Sequence, residues 1–150
     1  MAYTLSNRSL EKLEGVKPEL VKVVKRAIEL TKIDFGVIYG LRSKKEQQKL
    51  FDAGKSQTMK SKHLTGDAVD LMAYVDGKAS WELNLYDDLA DAMKWAATEE
   101  GVVIRWGAAW TVPDISLWEG TMEEAMMSYI DERRSQNRRP FIDGPHFELN

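Results

Sequence analysis

The chain has 150 residues, of which 43% are hydrophobic and 30% are charged. This length suits one ordinary domain with a core of its own, and the composition is that of a globular protein. The sequence contains no cysteine, which excludes disulfides and thiolate metal sites. A formal net charge of −3 argues against nucleic-acid binding. We therefore expect a single domain over residues 1–150 that binds no nucleic acid.

The N-terminal segment and the hydropathy bear on where the chain acts. Its first twenty residues include Lys and Glu and lack an apolar stretch, so no signal peptide is expected. No window reaches the roughly 20 consecutive apolar residues that a membrane span needs. We expect a soluble chain made in the cytosol without stable membrane insertion. If such a chain acts elsewhere, another component must deliver it.

Caps, hydrophobic spacing and turn residues divide the chain into short elements. The first half is expected to hold a helix from Ser6 or Ser9 to Gly15, a helix over Pro18–Leu30, a strand over residues 33–39, a helix from Ser43 to Gly54, and a strand over Ala68–Val75 that turns at Asp76 and Gly77. The second half is expected to hold a helix over residues 81–99 ended by Gly101, a strand over 102–106, a loop over 107–121, a helix over 122–134, a turn over 140–145 and a strand over His146–Leu149. Because helices and strands do not alternate regularly, the pattern predicts an α+β fold.

Hydrophobic residues at helical spacing are expected to face the core. They are Leu20, Val23, Val24, Ala27, Ile28 and Leu30 in the second helix, Leu50 and Phe51 in the third, and Leu83, Leu85, Leu89, Ala92, Met93 and Trp95 in the fourth.

The two histidines of the chain each lie beside carboxylates, where a turn leads into a strand. His63 and Asp70 stand in Ser-Lys-His-Leu-Thr-Gly-Asp-Ala-Val-Asp, and His146 follows Asp143 in Asp-Gly-Pro-His. Gly66 would let the chain turn back so that the first two side chains converge. A catalytic zinc takes three nitrogen or oxygen ligands and leaves one open position. The residues alone leave two interpretations open, a zinc site or ordinary structural histidines.

The pattern Ser-x-His-x-x-Gly-x-Ala-x-Asp, followed much later by Asp-x-x-His, resembles the D-alanyl-D-alanine carboxypeptidase and vancomycin-resistance D,D-peptidase superfamily of zinc enzymes. Within it, the chain is similar to the phage L-alanyl-D-glutamate endopeptidases. Those enzymes share a Gly-x-Arg-Ser segment, here at residues 40–43, a downstream Gln47, and a Gly-Lys-Ser approach to the first histidine, here at residues 54–56. The likeness covers about residues 5–110 and 140–149.

The resemblance implies a small antiparallel sheet that carries a zinc site, with helices packed around it. It implies His63, Asp70 and His146 as ligands of one Zn²⁺, Asp143 as the general base, and Arg42 facing the tetrahedral intermediate. Residues expected to support the site or to contact substrate are Ser61, Gln47, Glu148 and Trp110. Four of these roles have a structural alternative: Asp143 as a turn former, Arg42 as a surface charge at a helix start, Ser61 as a turn residue only, and Glu148 as an exposed solubilising residue.

The implied function is hydrolysis of the L-alanyl–D-glutamate bond in the stem peptides of peptidoglycan by a phage endolysin. Such a protein is made in the host cytoplasm and acts on the wall in the periplasm, so it needs a holin-like pore former. We expect a monomer with no separate wall-binding domain. The alternatives are a D,D-carboxypeptidase acting on terminal D-Ala-D-Ala, and an inactive zinc-containing module that binds the wall.

Two segments depart from the family pattern. Related phage enzymes tend to carry Trp-Gly-Gly-Asp-Trp after the third strand, whereas this chain has Trp-Gly-Ala-Ala-Trp at residues 106–110. Trp106 is expected in the core, and Trp110 either in the core or in the wall of the substrate cleft. The second departure is the stretch 111–139, which ends in a basic run over residues 133–139. This run is either a solvated helix end or a site of attraction to the anionic envelope.

Overall fold

The computed structural model describes residues 3–56 and 59–150. Five α-helices and five strands form in this part of the chain, with short 3₁₀ turns at Lys62–Thr65 and Ile115–Leu117. The elements are α1 (Asn7–Lys12), α2 (Pro18–Leu30), β1 (Asp34–Tyr39), α3 (Lys44–Asp52), β2 (Ala68–Val75), β3 (Lys78–Ser80), α4 (Leu83–Glu100), β4 (Ile104–Trp106), α5 (Met122–Ser135) and β5 (His146–Leu149). None of the described helices is both long and apolar enough to cross a bilayer.

The strands form one antiparallel sheet in the order β1-β2-β5-β4, with β3 paired to β2. This confirms the α+β fold and the small antiparallel sheet. In the ladder, Asp70 of β2 lies directly opposite His146 of β5 and, beyond an irregularity in β1, opposite Tyr39. Directly opposed residues project to the same face of a sheet. The strand pairing therefore brings residues from distant parts of the sequence to one place.

Packing of α2 and α4 against the sheet and each other buries the core. Alanines at positions 90, 92, 96 and 97 of α4 are fully buried, and their small side chains leave room for α2 to approach closely. The largest fully buried side chains are Trp106, Tyr86, Tyr129, Phe35, Phe147 and Leu20. The core location predicted for Trp106 is confirmed.

Most helix ends lie close to their predicted positions, because the capping residues could be recognised in the sequence. Ser6 accepts a hydrogen bond from the Ser9 backbone N–H, and Ser43 accepts one from the Glu46 N–H. Gly101 ends α4 in the left-handed conformation at φ +67°, where a residue without Cβ carries no penalty. The strands β2 and β5 have the predicted bounds, and β3 was not predicted.

Several residues predicted to face the core do not. Phe51 and Trp95 are each 43% exposed, Leu83 is 37% exposed, and Leu50 is only partly buried. Leu30 and Leu85 are partly buried but pack against the core, as predicted. In α3 the buried position is Gln47, at 0% exposure. Hydrophobic spacing predicted the wrong buried residue in α3 because this helix borders a polar cleft. Its buried side chain, Gln47, binds the charged Arg42. In α4 the buried face is centred on Leu89 and Met93, away from Trp95.

Candidate metal centre

His63 is held by a tight 3₁₀ turn. Ser61 caps this turn and accepts a hydrogen bond from the His63 backbone N–H at 3.2 Å. Gly66 closes it at φ +76°, where a Cβ would lie 2.4 Å from the Gly15 carbonyl oxygen, so a larger residue cannot fit. His63 Nδ1 lies 2.8 Å from the carbonyl oxygen of Gly40. Because a carbonyl only accepts, Nδ1 carries the proton and Nε2 presents a lone pair.

The lone pair of His63 points into a cluster with Asp70 and His146. Asp70 Oδ1 lies 3.3 Å from His63 Nε2 and 3.2 Å from His146 Nδ1. One donor atom from each residue lies within 4.8 Å of the others, and the buried His63 Nε2 has no hydrogen-bond partner among the described residues. Two imidazole nitrogens and a carboxylate oxygen are a donor set that suits zinc, with the cleft side left open. The residues present therefore fit the metal that the family pattern implies.

Glu148 fixes the orientation of the His146 ring. Both residues lie on the same face of β5, and His146 Nε2 lies 2.8 Å from Glu148 Oε1. The carboxylate accepts the Nε2 proton and leaves Nδ1 directed at Asp70, the arrangement typical of metal-binding histidines. Arg105 donates to Glu148 at 2.8 Å, and Lys62 lies 3.3 Å from it. Burial opposes ionisation of Glu148, but hydrogen bonds from His146 and Arg105 hold its pKa at about 2. The expectation of an exposed solubilising residue is wrong, since Glu148 is 5% exposed.

Opposite charges hold the side chains of the cluster together. Burial disfavours the charged ring of His146, yet hydrogen bonds to Asp70 and Glu148 raise its pKa to about 9. Burial likewise disfavours ionised Asp70, but the hydrogen bond from His146 holds its pKa well below the usual range. A metal at this site must displace a proton from His146, so binding is coupled to pH.

Asp143 begins the turn that leads into His146. Its backbone N–H donates to the Gly107 carbonyl at 2.8 Å, and its carbonyl accepts from the His146 N–H at 3.1 Å. A Cβ on Gly107 would lie 2.3 Å from the Asp143 carbonyl oxygen, so this contact requires glycine. Burial and, after it, the negative charge of Asp70 raise the pKa of Asp143. Asp143 thus forms the turn and also presents a carboxyl group at the same cleft.

Arg42 is buried in the site, so the alternative of a surface charge is wrong. It is 8% exposed, and its Nη2 lies 3.6 Å from Asp70 Oδ2. Nη1 donates to Gln47 Oε1 at 2.8 Å, and Gln47 in turn donates to Ser56 at 2.8 Å. The guanidinium also lies 5.3 Å from the centre of the Tyr39 ring. Gln47 therefore positions Arg42 from the inner face of α3.

A cleft of about 690 Å³ surrounds the cluster. Trp110 belongs to its wall, with its ring centre 5.5 Å from that of His146 and its Nε1 donating to the Phe141 carbonyl at 3.1 Å. Ala108 and Ala109 are fully buried, so the segment that differs from the related Trp-Gly-Gly-Asp-Trp pattern packs in the core.

The motifs gave no role to several residues of this cleft, among them Lys62, Trp81 and Arg105. Arg105 lies opposite Glu148 in the ladder between β4 and β5. Only the strand register reveals this pair, because no motif joins positions so far apart.

Comparison with known proteins gives concordant results. The family model for phage L-alanyl-D-glutamate peptidases matches residues 1–150. The L-alanyl-D-glutamate peptidase of Escherichia phage T5 is 34% identical over 153 residues, covering 99% of each chain. The crystal structure of the Serratia marcescens L-Ala D-Glu endopeptidase ChiX matches with a TM-score of 0.73 and 35% identity, over 100% of this chain and 90% of that one.

A more distant match shows the fold alone. It is the vancomycin-resistance D,D-dipeptidase VanXYg in complex with a D-Ala-D-Ala phosphinate analogue, with a TM-score of 0.50 and 16% identity over 89% of this chain and 50% of that one. The match of the family model to the whole chain and the near-full-length phage relative agree with the cluster of two histidines and a carboxylate. The chain belongs to the phage L-alanyl-D-glutamate peptidase family and is a peptidase.

Proposed function

We propose that this protein is a zinc-dependent endopeptidase that hydrolyses the L-alanyl–D-glutamate bond of peptidoglycan stem peptides. His63, Asp70 and His146 would hold one zinc ion. The observation that carries the proposal is the convergence of these three donors, with His63 Nε2 left unprotonated by the Gly40 carbonyl and His146 Nδ1 turned inward by Glu148. Zinc in such a site supplies Lewis acidity for the scissile carbonyl and for the attacking water.

Asp143 is the residue we assign to proton transfer. Its carboxyl group lines the same cleft as the cluster, and its raised pKa brings it closer to the working pH of a base. It would accept the proton of the attacking water and pass it to the nitrogen of the leaving amine. The amine then departs uncharged, and the carboxylate is regenerated for the next cycle.

Arg42 is assigned to charge stabilisation. Its guanidinium is held in place by Gln47 and lies beside Asp70, within the cleft. A fixed cation stabilises the negative charge that develops on the carbonyl oxygen in the transition state, and it does so without reorganisation. Five basic side chains line the cleft against three carboxylates among the described residues, which favours peptides that carry carboxylates, as stem peptides do.

We propose the role of a phage endolysin for the whole molecule, acting as a monomer and as a single domain over residues 1–150. In this role the protein is made in the host cytoplasm and reaches the periplasmic wall after a holin-like protein opens the inner membrane. The support is the match of the family model to residues 1–150 and the core cluster and cleft that the described residues form.

Replacing Asp143 by Asn tests the mechanism. The amide keeps the size and the turn-forming ability but cannot accept the proton, so turnover should fall by about 10²–10⁴-fold. Zinc content should stay near one per chain, because the three ligands are untouched. Mass spectrometry of digested sacculi should show L-alanyl–D-glutamate cleavage by the unmodified protein.

Three outcomes would contradict the proposal. A metal-free protein that still lyses walls would remove zinc from the mechanism. An Asn variant with full zinc and normal turnover would move the base elsewhere. Release of terminal D-Ala without cleavage after L-Ala would identify a D,D-carboxypeptidase.

A further inference from the structure

The indole of Trp81 is the most exposed aromatic ring of the catalytic cleft. It is 64% exposed and lies in the short connection between β3 and α4. It lines the cleft together with Asp143, yet it forms none of the contacts that hold the cluster. Folding leaves this large apolar surface in water, although burying such a ring is normally favourable.

The ring of Trp81 stacks on the buried ring of Tyr86. Its ring is nearly parallel to that of Tyr86, with an angle of 11° and 6.3 Å between ring centres. Tyr86 is 1% exposed, and its hydroxyl donates to the Ser80 carbonyl at 2.8 Å and accepts from the Ala73 N–H at 3.2 Å. Tyr86 therefore fixes both the indole and the residue before it. The result is a flat, exposed apolar surface that stacks on a buried ring.

The same tyrosine connects Trp81 to the loop that bears the base. A Cβ placed on Gly144 would lie 3.1 Å from the Tyr86 Cβ, so the turn after Asp143 packs directly on Tyr86. One side chain thus lies between the exposed indole and the turn that positions Asp143 and His146. A group that covers Trp81 therefore lies in the same cleft as Asp143.

The chemistry of peptidoglycan identifies a group that fits there. The L-alanine of a stem peptide is joined through a lactyl group to an N-acetylated amino sugar, so a sugar ring lies one residue from the L-alanyl–D-glutamate bond. The C–H face of a pyranose is apolar and stacks on flat aromatic rings, whereas the carboxylates of the peptide suit the basic residues of the cleft. We propose that Trp81 is a saccharide subsite that stacks against the muramic acid ring, so that the enzyme prefers glycan-linked stem peptides. This inference rests on the proposed function.

Kinetics on a matched pair of substrates test the subsite. One substrate is a muramoyl tetrapeptide, and the other is the same tetrapeptide with an acetyl group in place of the sugar. Trp81→Ala should lower kcat/KM for the sugar-bearing substrate about three- to tenfold more than for the acetyl peptide, mainly through KM. Trp81→Phe should recover part of the difference, because a flat ring remains.

Trp95→Ala is the matched control, since Trp95 is also an exposed tryptophan, at 43%, and does not line the cleft. It should change both substrates equally or not at all. Thermal unfolding of each variant should show that the folds are intact.

Equal loss on both substrates, or no loss in Trp81→Ala, would overturn the subsite. A Phe variant no better than the Ala variant on the sugar-bearing substrate would also overturn it, because stacking would not be the cause. Failure of the proposed function gives a different result, because the unmodified protein would then cleave neither substrate after L-Ala.

Discussion

Glu148 shows how one side chain sets the chemistry of another. A histidine has two nitrogens, and only the unprotonated one binds a metal. Glu148 accepts the Nε2 proton of His146, and Arg105 and Lys62 neutralise the charge that this requires. The alternation of side chains along β5 puts Glu148 on the same face as His146. The two cations that support it come from β4 and from the turn around His63, and no local pattern predicted them.

Removing this carboxylate should weaken metal binding without removing a ligand. We expect Glu148→Ala to lower zinc affinity by about 10–100-fold, because nothing then fixes the ring of His146. Competition with a chromophoric chelator measures the affinity directly. Glu119→Ala is a suitable control, since Glu119 is exposed and does not line the cleft. Unchanged affinity in Glu148→Ala would mean that the backbone alone orients His146.

Asp87 on α4 is a buried acid with acidic neighbours. It is 8% exposed, and burial followed by the charges of Asp88, Glu123 and Asp91 raises its pKa to about 6. The pKa of an unfolded aspartate is about 3.9, so folding favours the protonated form. The contribution of protonated Asp87 to the free energy of unfolding is fully present below about pH 4 and is lost as the pH rises through about 6.

Asp87→Asn should therefore stabilise the protein at neutral pH. The amide has a similar shape and no charge, so the free energy of unfolding at pH 8 should rise by about 1–2 kcal/mol after allowance for solvent screening. Below about pH 4 the variant and the unmodified protein should be equally stable. Urea unfolding of both chains in the presence of chelator, at pH 4 and pH 8, measures the difference. An equal gain at both pH values would assign the effect to packing.

For the secondary-structure elements, predictions from the sequence were most accurate where neighbouring residues determine the backbone conformation. Ser43 and Gly101 mark helix ends by hydrogen bonding and backbone conformation, which neighbouring residues determine. Which face of a helix is buried depends on what packs against it. For α3, hydrophobic spacing favoured Phe51, whereas the buried residue is Gln47, which binds Arg42.

In the candidate site too, features that depend on neighbouring residues were predictable, whereas contacts between distant segments were not. The turn around His63 and the turn from Asp143 to His146 could be read from their own residues. That Asp70 faces His146, and that Arg105 faces Glu148, follows from strand register, which two distant segments determine together. Family resemblance supplied the first pairing, and only the three-dimensional structure revealed the second.

For the whole molecule, binding to anionic polymers depends on where the charges lie more than on the net charge. The chain has a formal net charge of −3, yet the cleft is lined by more basic residues than acidic ones. A second basic region lies at the end of α5 and just beyond it, where Arg134, Arg138 and Arg139 are exposed and Arg133 lies 5.3 Å from the centre of the Tyr129 ring. An anionic polymer would be attracted to such a cluster of exposed positive charges even though the net charge of the chain is negative.

Replacing all four arginines of this region by Gln should weaken binding to anionic sacculi at low salt. The difference should disappear near 1 M salt, because exposed charges are screened over about 10 Å at 0.1 M and about 3 Å at 1 M. Co-sedimentation with purified sacculi at both salt concentrations measures it. The matched control replaces four exposed lysines in α1, in α2 and at the N-cap of α2, namely Lys12, Lys17, Lys22 and Lys25. It removes the same charge from another surface and should weaken binding less. Equal losses in the two variants would show that net charge alone matters, and no loss in either would leave the arginines as a solvated helix end.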